Sequence, residues 1–277
     1  MKKEAKTFYP FGAAWQVRLD YEAEYNNPLK VPGHPAIIAG WARDGAAFRA
    51  AYGEKELDLA YGPSARQALD VFWPGAGRAG PIALFLHGGY WQKLDRFFFS
   101  HAARGLLAHG VAVAVASYDL CPQVTLAAIV DEIGVAAKFL RDRYGRLDLA
   151  FGHSAGGHLS ATLLAAGLVP AALPISGVFD LVPLVSTSMN DALRLDAAEA
   201  RRMSPLLWPR PAAGRMHAVV GGEEGVEFTR QSREMALAWG GTWESLPGHD
   251  HFTICDELVA PESVTVRAAM RLIEGAR

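Results

Sequence analysis

The sequence predicts an α/β protein built on a mostly parallel central sheet, with an N-terminal antiparallel hairpin and helices on both faces. Three observations carry this prediction. Short apolar runs alternate with segments that are apolar at helical spacing, which is the rhythm of strand–helix–strand units. One strand-to-helix join reads Gly152-His153-Ser154-Ala155-Gly156, a turn whose glycines let strand and helix pass closely. The chain has 277 residues, of which 51% are hydrophobic and 20% charged, enough to bury one large core as a single domain spanning 1–277.

The first 50 residues carry Pro10, Pro28, Pro32 and Pro35 among Phe8, Tyr9, Phe11, Trp15, Tyr21 and Tyr25. They read as an irregular arm over the domain body, its aromatics anchoring the core or walling a pocket. Residues 56–61 and 67–73 alternate polar and apolar around Gly62-Pro63-Ser64, and are expected to pair as a hairpin. The runs 82–86 and 111–117 suit strands buried on both faces, with a helix over 97–109 between them. Residues 126–144 form an amphipathic helix with apolar positions at 126, 129, 130, 133, 136, 139 and 140. A strand at 147–151, a helix at 156–166 and strands at 171–175, 216–220 and 242–246 follow, with helices at 226–239 and 264–273. The stretch from about 181 to 210 interrupts the alternation and is expected to be a small helical cap near the substrate entrance.

Charge and cysteine usage exclude several classes. The 27 Lys and Arg stand against 29 Asp and Glu, a net charge of −2. The arginines are scattered, and the only basic run is the Met1-Lys2-Lys3 start, so no nucleic-acid partner is expected. No apolar run reaches the ~18 residues of a membrane span, and no apolar stretch follows the N-terminal lysines as a secretory signal would require. Cys121 and Cys255 make neither a disulfide framework nor a CxxC pair. The expected setting is cytoplasmic, with no metal and no cofactor. The apolar C-terminal helix and the aromatic arm fit a homodimer face and fit the core equally well.

Ser154 carries the chemistry. A serine in G-x-S-x-G between a buried strand and a helix sits at a strained turn, with its hydroxyl exposed above the sheet. Serine is a weak nucleophile and needs a base. In this architecture the order along the chain is serine, acid, histidine. After Ser154 come His217 within a strand and the pair His249 and His251 in the loop after the last strand, of which His251 is favoured. The acid belongs on the loop after 216–220, which holds Glu223 and Glu224 but no Asp; Glu224 is the first choice, then Glu223, then Asp180. An oxyanion needs backbone donors. His87-Gly88-Gly89-Tyr90-Trp91 follows strand 82–86, so the N–H groups of Gly88, Gly89 or Tyr90, together with that of Ala155, are the expected donors. Tyr90, Trp91 and His153 are candidate pocket residues, and His87 reads as a structural hydrogen-bonding group.

These motifs resemble the kynurenine formamidases (arylformamidases), a family of α/β-hydrolases. The likeness rests on His87-Gly88-Gly89-Tyr90-Trp91, Gly152-His153-Ser154-Ala155-Gly156-Gly157-His158-Leu159, Ser176-Gly177-Val178-Phe179-Asp180-Leu181, Ser204-Pro205, the segment from Val220 to Ser232, and His251-Phe252. Tyr25-Asn26-Asn27 and Val31-Pro32 extend it. The resemblance implies an α/β-hydrolase fold with a small helical cap and a Ser-Asp-His triad. Its positions fall on Ser154, Glu224 and His251, so this chain departs from the family at the acid. It implies hydrolysis of N-formyl-L-kynurenine to L-kynurenine and formate. The alternatives are a carboxylesterase, amidase or carbamate hydrolase acting on small aryl substrates and, from another class, a non-catalytic ligand-binding relative.

Overall fold

The computed structural model describes residues 19–275. Among them eight strands form one sheet in the order β1-β2-β4-β3-β5-β6-β7-β8. β1 (Lys55–Ala60) and β2 (Ala68–Phe72) form the expected antiparallel hairpin. β2 runs antiparallel to β4 (Ala112–Ala116), and every later pairing is parallel. Those pairings join β3 (Ile82–Leu86), β5 (Leu149–His153), β6 (Ala171–Ile175), β7 (Arg215–Gly221) and β8 (Thr242–Leu246). Parallel strands need crossovers, and helices supply them. The central strands are buried on both faces, which is why they read as apolar runs rather than alternating ones.

The two faces are packed differently. Ile82, Leu84 and Leu86 of β3 and Ala112, Ala114 and Ala116 of β4 share one core with α5 (Leu126–Tyr144), α6 (Ala155–Ala165) and α9 (Val226–Ala238). Ala83, Phe85, Val113 and Val115 point the other way, into a core shared with α3 (His34–Ala51) and α10 (Val264–Glu274). The apolar side of the C-terminal helix, Val266, Ala269, Leu272 and Ile273, is therefore core.

The structure departs from the sequence reading in three places. The arm expected to be irregular holds α1 (Tyr21–Tyr25), α2 (Asn27–Lys30) and the 18-residue α3. Its prolines are not breakers here. Pro28 and Pro35 stand in the first turns of α2 and α3, where a missing N–H costs nothing. Phe8, Tyr9, Phe11 and Trp15 lie outside the described residues. The helix expected over 97–109 is broken into 3₁₀ turns at Arg96–Phe98 and Ser100–Ala103 followed by α4 (Arg104–Leu107). Its start is pinned by Arg96, whose side chain turns inward to Asp70, Asp58 and Ser117. The strand expected at 147–151 is displaced by two residues, because Gly152 and His153 still pair with β6. The stretch 181–210 holds 3₁₀ turns at Val182–Ser186 and Pro205–Leu207 around α7 (Asn190–Leu193) and α8 (Ala197–Arg202).

Asp70 in β2 is fully buried and paired with Arg49 of α3 at 2.8 Å and with Arg96 at 3.3 Å. It also accepts the Asp58 N–H at 2.8 Å. This one carboxylate ties α3 and the broken segment to the sheet. Removing one partner of a buried pair strands the other's charge. Asp70→Ala is expected to lower stability by about 3–5 kcal/mol, read as a lower urea midpoint; a midpoint within error of the parent would show that the pair is dispensable.

Candidate active site

β5 delivers Ser154 to the carboxyl edge of the sheet, where ligands of open α/β sheets bind. Ser154 has φ +56° and ψ −117°, a conformation that only a tightly constrained turn imposes on a non-glycine residue. The constraint is visible on both sides. A Cβ on Gly156 would lie 1.9 Å from the Leu86 carbonyl oxygen, and one on Gly152 would lie 2.4 Å from the Gly156 carbonyl oxygen. Strand and helix thus touch backbone to backbone, and only glycine permits it. The Ser154 N–H donates to the Ile175 carbonyl at 2.8 Å, which locks the turn to β6.

His251 arrives on the loop after β8. Its Nε2 stands 3.0 Å from Ser154 Oγ, and its Nδ1 stands 2.6 Å from Glu224 Oε2. Glu224 reaches in from the loop after β7, its side chain fully buried. Its other oxygen, Oε1, accepts the Gly221 N–H at 2.7 Å and the Ser176 hydroxyl at 2.5 Å. The remaining candidates lie apart. Glu223 is exposed, with Oε1 3.4 Å from the Gly248 N–H. Asp180 accepts the Val182 N–H and faces Arg230 at 3.7 Å. His249 turns to Thr253 and Glu257, and His217 pairs with Thr242 beside β8. Serine, imidazole and carboxylate in this chain can pass a proton from Oγ to Nε2 while the carboxylate fixes the tautomer and stabilises the imidazolium.

The His87–Trp91 loop crosses directly over the serine. A Cβ on Gly88 would lie 3.1 Å from Ser154 Cβ, so the glycine backbone packs against the serine itself. Gly89, Tyr90 and Trp91 all have positive φ, at +107°, +53° and +57°. The Gly89 carbonyl caps the turn by accepting the N–H groups of Gln92 and Lys93 at 2.9 and 3.1 Å. The Tyr90 hydroxyl anchors the loop on the Tyr25 carbonyl. Ala155 opens α6, and the N–H groups of a helix's first turn lack intrahelical partners. The arrangement brings Gly88, Gly89, Tyr90 and Ala155 around Ser154, where backbone donors can meet an oxyanion.

A cavity of about 310 Å³ opens on Ser154 and His251. Gly89, Tyr90 and His153 line it with Trp41, His34, Phe252 and Met189. Trp91 does not line it. Its ring is fully buried beneath the loop, edge-on to His158 at 5.1 Å, because the left-handed backbone at Trp91 turns the side chain into the core. His153 sits under the site, its Nε2 2.7 Å from the His251 carbonyl oxygen. The sequence reading missed His34, Trp41, Met189 and Ser176. Trp41 and His34 belong to the helix hidden by prolines, and an aromatic every helical turn or two was their only signal. Ser176 stood in a quoted motif, but nothing local links it to Glu224.

Comparison with known proteins follows the same lines. A family model described as BD-FAE matches residues 69–169. The chain is 30% identical to a kynurenine formamidase of Drosophila melanogaster over 233 residues, covering 74% of this chain and 77% of that one. It is 29% identical to a kynurenine formamidase of Salmo salar over 225 residues, covering 73% and 76%. A solved structure described provisionally as a thioesterase, from Silicibacter sp. TM1040, superposes with a TM-score of 0.83 at 31% identity, covering 92% of this chain and 99% of that one.

Three histidines around the site are kept neutral by burial. His87 is pushed down to about 3, against a donor–acceptor contact with the Gly88 carbonyl that pulls the other way. His158 is pushed down to about 4 while its Nε2 holds the Met203 carbonyl at 2.8 Å, and His153 lies well below the usual range. Below pH ~6.5 the unfolded chain takes up protons that the folded chain refuses, so stability is full above that pH and falls as pH drops toward 4. Between pH 7.5 and 5.0 each such histidine removes about 2 kcal/mol. The urea midpoint is expected to fall over this interval, and to fall less in His158→Gln; equal slopes in the two proteins would contradict the assignment.

Proposed function

This chain belongs to the kynurenine formamidase family and is an α/β-hydrolase acting on small substrates; from that premise we propose that it cleaves a small aryl amide, N-formyl-L-kynurenine, to L-kynurenine and formate. The observation that carries the mechanism is the continuous chain Ser154 Oγ–His251 Nε2 at 3.0 Å and His251 Nδ1–Glu224 Oε2 at 2.6 Å. His251 removes the Ser154 proton as Oγ attacks the formyl carbon. The carbonyl oxygen becomes an oxyanion and is met by the N–H groups of Gly89 and Ala155, with Gly88 and Tyr90 shaping the loop. His251 then returns the proton to the leaving aryl amine, the C–N bond breaks, and a formyl-Ser154 ester remains. Water, deprotonated by His251, attacks the formyl carbon of that ester; the Oγ–C bond breaks, His251 returns the proton to Ser154 Oγ, and formate leaves. Removing one oxyanion donor in such sites costs about 10²–10³ in kcat.

The cavity supports an aryl substrate. Trp41, Tyr90 and Phe252 offer aromatic walls, and Lys93 is the one formally charged side chain among the lining residues besides the histidines. Among the described lining residues a substrate carboxylate would find Lys93 at the wall and no Asp or Glu. The segment 181–210 contributes Ser188 and Met189 to the wall, as a cap over the site would. Free, buried Cys121 and Cys255 fit a reducing cytoplasmic setting, and no described helix is long and apolar enough to cross a membrane.

Steady-state turnover of N-formyl-L-kynurenine beside 4-nitrophenyl acetate tests the reading. The expected result is a kcat/KM for the formyl amide well above that for the ester, with both lost in Ser154→Ala and kcat lowered about 10³–10⁴-fold in Glu224→Gln. Ester turnover without formyl turnover keeps the machinery and overturns the substrate.

A further inference from the structure

The carboxylate that faces His251 is a glutamate, whose side chain is one methylene longer than an aspartate's and has one more torsion to immobilise. Its Oε1 is held by two donors from different elements. Gly221, 2.7 Å away, ends β7 and belongs to the same turn as Glu224. Ser176, 2.5 Å away, stands just past the end of β6, the neighbouring strand. With Oε1 engaged twice, Oε2 is left to face His251 Nδ1 at 2.6 Å.

Ser176 is an odd residue for its place. It is fully buried, its φ is +49°, and its N–H donates to the Val219 carbonyl at 2.7 Å. Glycine would adopt that backbone at less cost. What serine adds is the hydroxyl, and that hydroxyl donates to Glu224. The geometry points to Ser176 as a positioning residue of the hydrolysis: it clamps the longer Glu224 side chain so that its free oxygen meets His251. The inference rests on the proposed Ser154–His251–Glu224 relay. The groups facing His251 are the Glu224 carboxylate and the neutral His153 ring, 4.7 Å away. Tyr90 and Cys255 are further titratable groups that feel the Glu224 charge, and both stay protonated through the neutral range because burial raises them.

Ser176→Gly and Ser176→Ala test it together. Glycine suits the positive φ and removes the Cβ with the hydroxyl; alanine removes the hydroxyl alone and keeps the Cβ. Hydrogen bonds to charged groups are strong enough that both variants should lose about tenfold in kcat, with KM within twofold. The overturning results are a folded Ser176→Gly with parental kcat, a rise in KM that accounts for the loss in kcat/KM, a loss confined to Ser176→Ala, or variants that cannot be isolated folded, since each assigns Ser176 to structure alone. A parent protein that hydrolyses neither N-formyl-L-kynurenine nor 4-nitrophenyl acetate overturns the relay itself, and this inference with it.

Discussion

The close approach of β5 and α6 at Ser154 is the constraint on which the rest of the site depends. Backbone meets backbone there. A carbon added to Gly152 of β5 would lie 2.4 Å from the Gly156 carbonyl oxygen of α6, and one added to Gly156 would lie 1.9 Å from the Leu86 carbonyl oxygen of β3. Overpacking at such a contact shifts backbone, and protein interiors do not absorb that shift locally. This contact holds Ser154 in its left-handed conformation and aims Oγ at His251 rather than along the strand. It also fixes β5 against β3, and β3 carries the His87–Trp91 loop, so serine and candidate oxyanion donors share one rigid frame.

A second layer holds the cavity. Asp70 docks α3 through Arg49, and α3 supplies Trp41 and His34 to the wall. Tyr25 is buried against Phe228 of α9, its hydroxyl donating to Glu227 at 2.7 Å and its carbonyl receiving Tyr90. Glu227 is gripped in turn by both ends of Arg230 at 2.7 Å. The segment 181–210 is fastened from below, where His158 of α6 meets the Met203 carbonyl and the Ser204 hydroxyl receives the Leu181 N–H. Most of these contacts are buried, and a buried polar contact is specific because the alternatives leave its groups unpaired.

Much of this was legible in the sequence, for physical reasons. β3 through β6 are short apolar runs buried at every position, and β7 is buried over its second half. Ser154, His251 and Glu224 were legible because each sits in a loop at the end of a strand, and strand order constrains which loops meet. Their roles come from a chemical argument, and the geometry agrees in bringing them within hydrogen-bonding reach. The N-terminal helix was illegible because proline marks a first turn as readily as a break. The broken 97–109 segment was illegible because Arg96 is drawn inward by Asp70, twenty-six residues away in sequence and invisible to any local window. Trp91 was misplaced because three successive residues with positive φ, Gly89, Tyr90 and Trp91, break the regular alternation of side-chain directions. Ser176 was missed because its partner lies on another strand's loop.

The central claim is that Ser154 is a nucleophile activated by His251. Its most direct measurement is intact-protein and peptide mass spectrometry after treatment with a fluorophosphonate probe. One adduct per chain is expected, located on Ser154, absent in Ser154→Ala and formed far more slowly in His251→Ala. A folded protein that takes no label, or takes it on another residue, would contradict it.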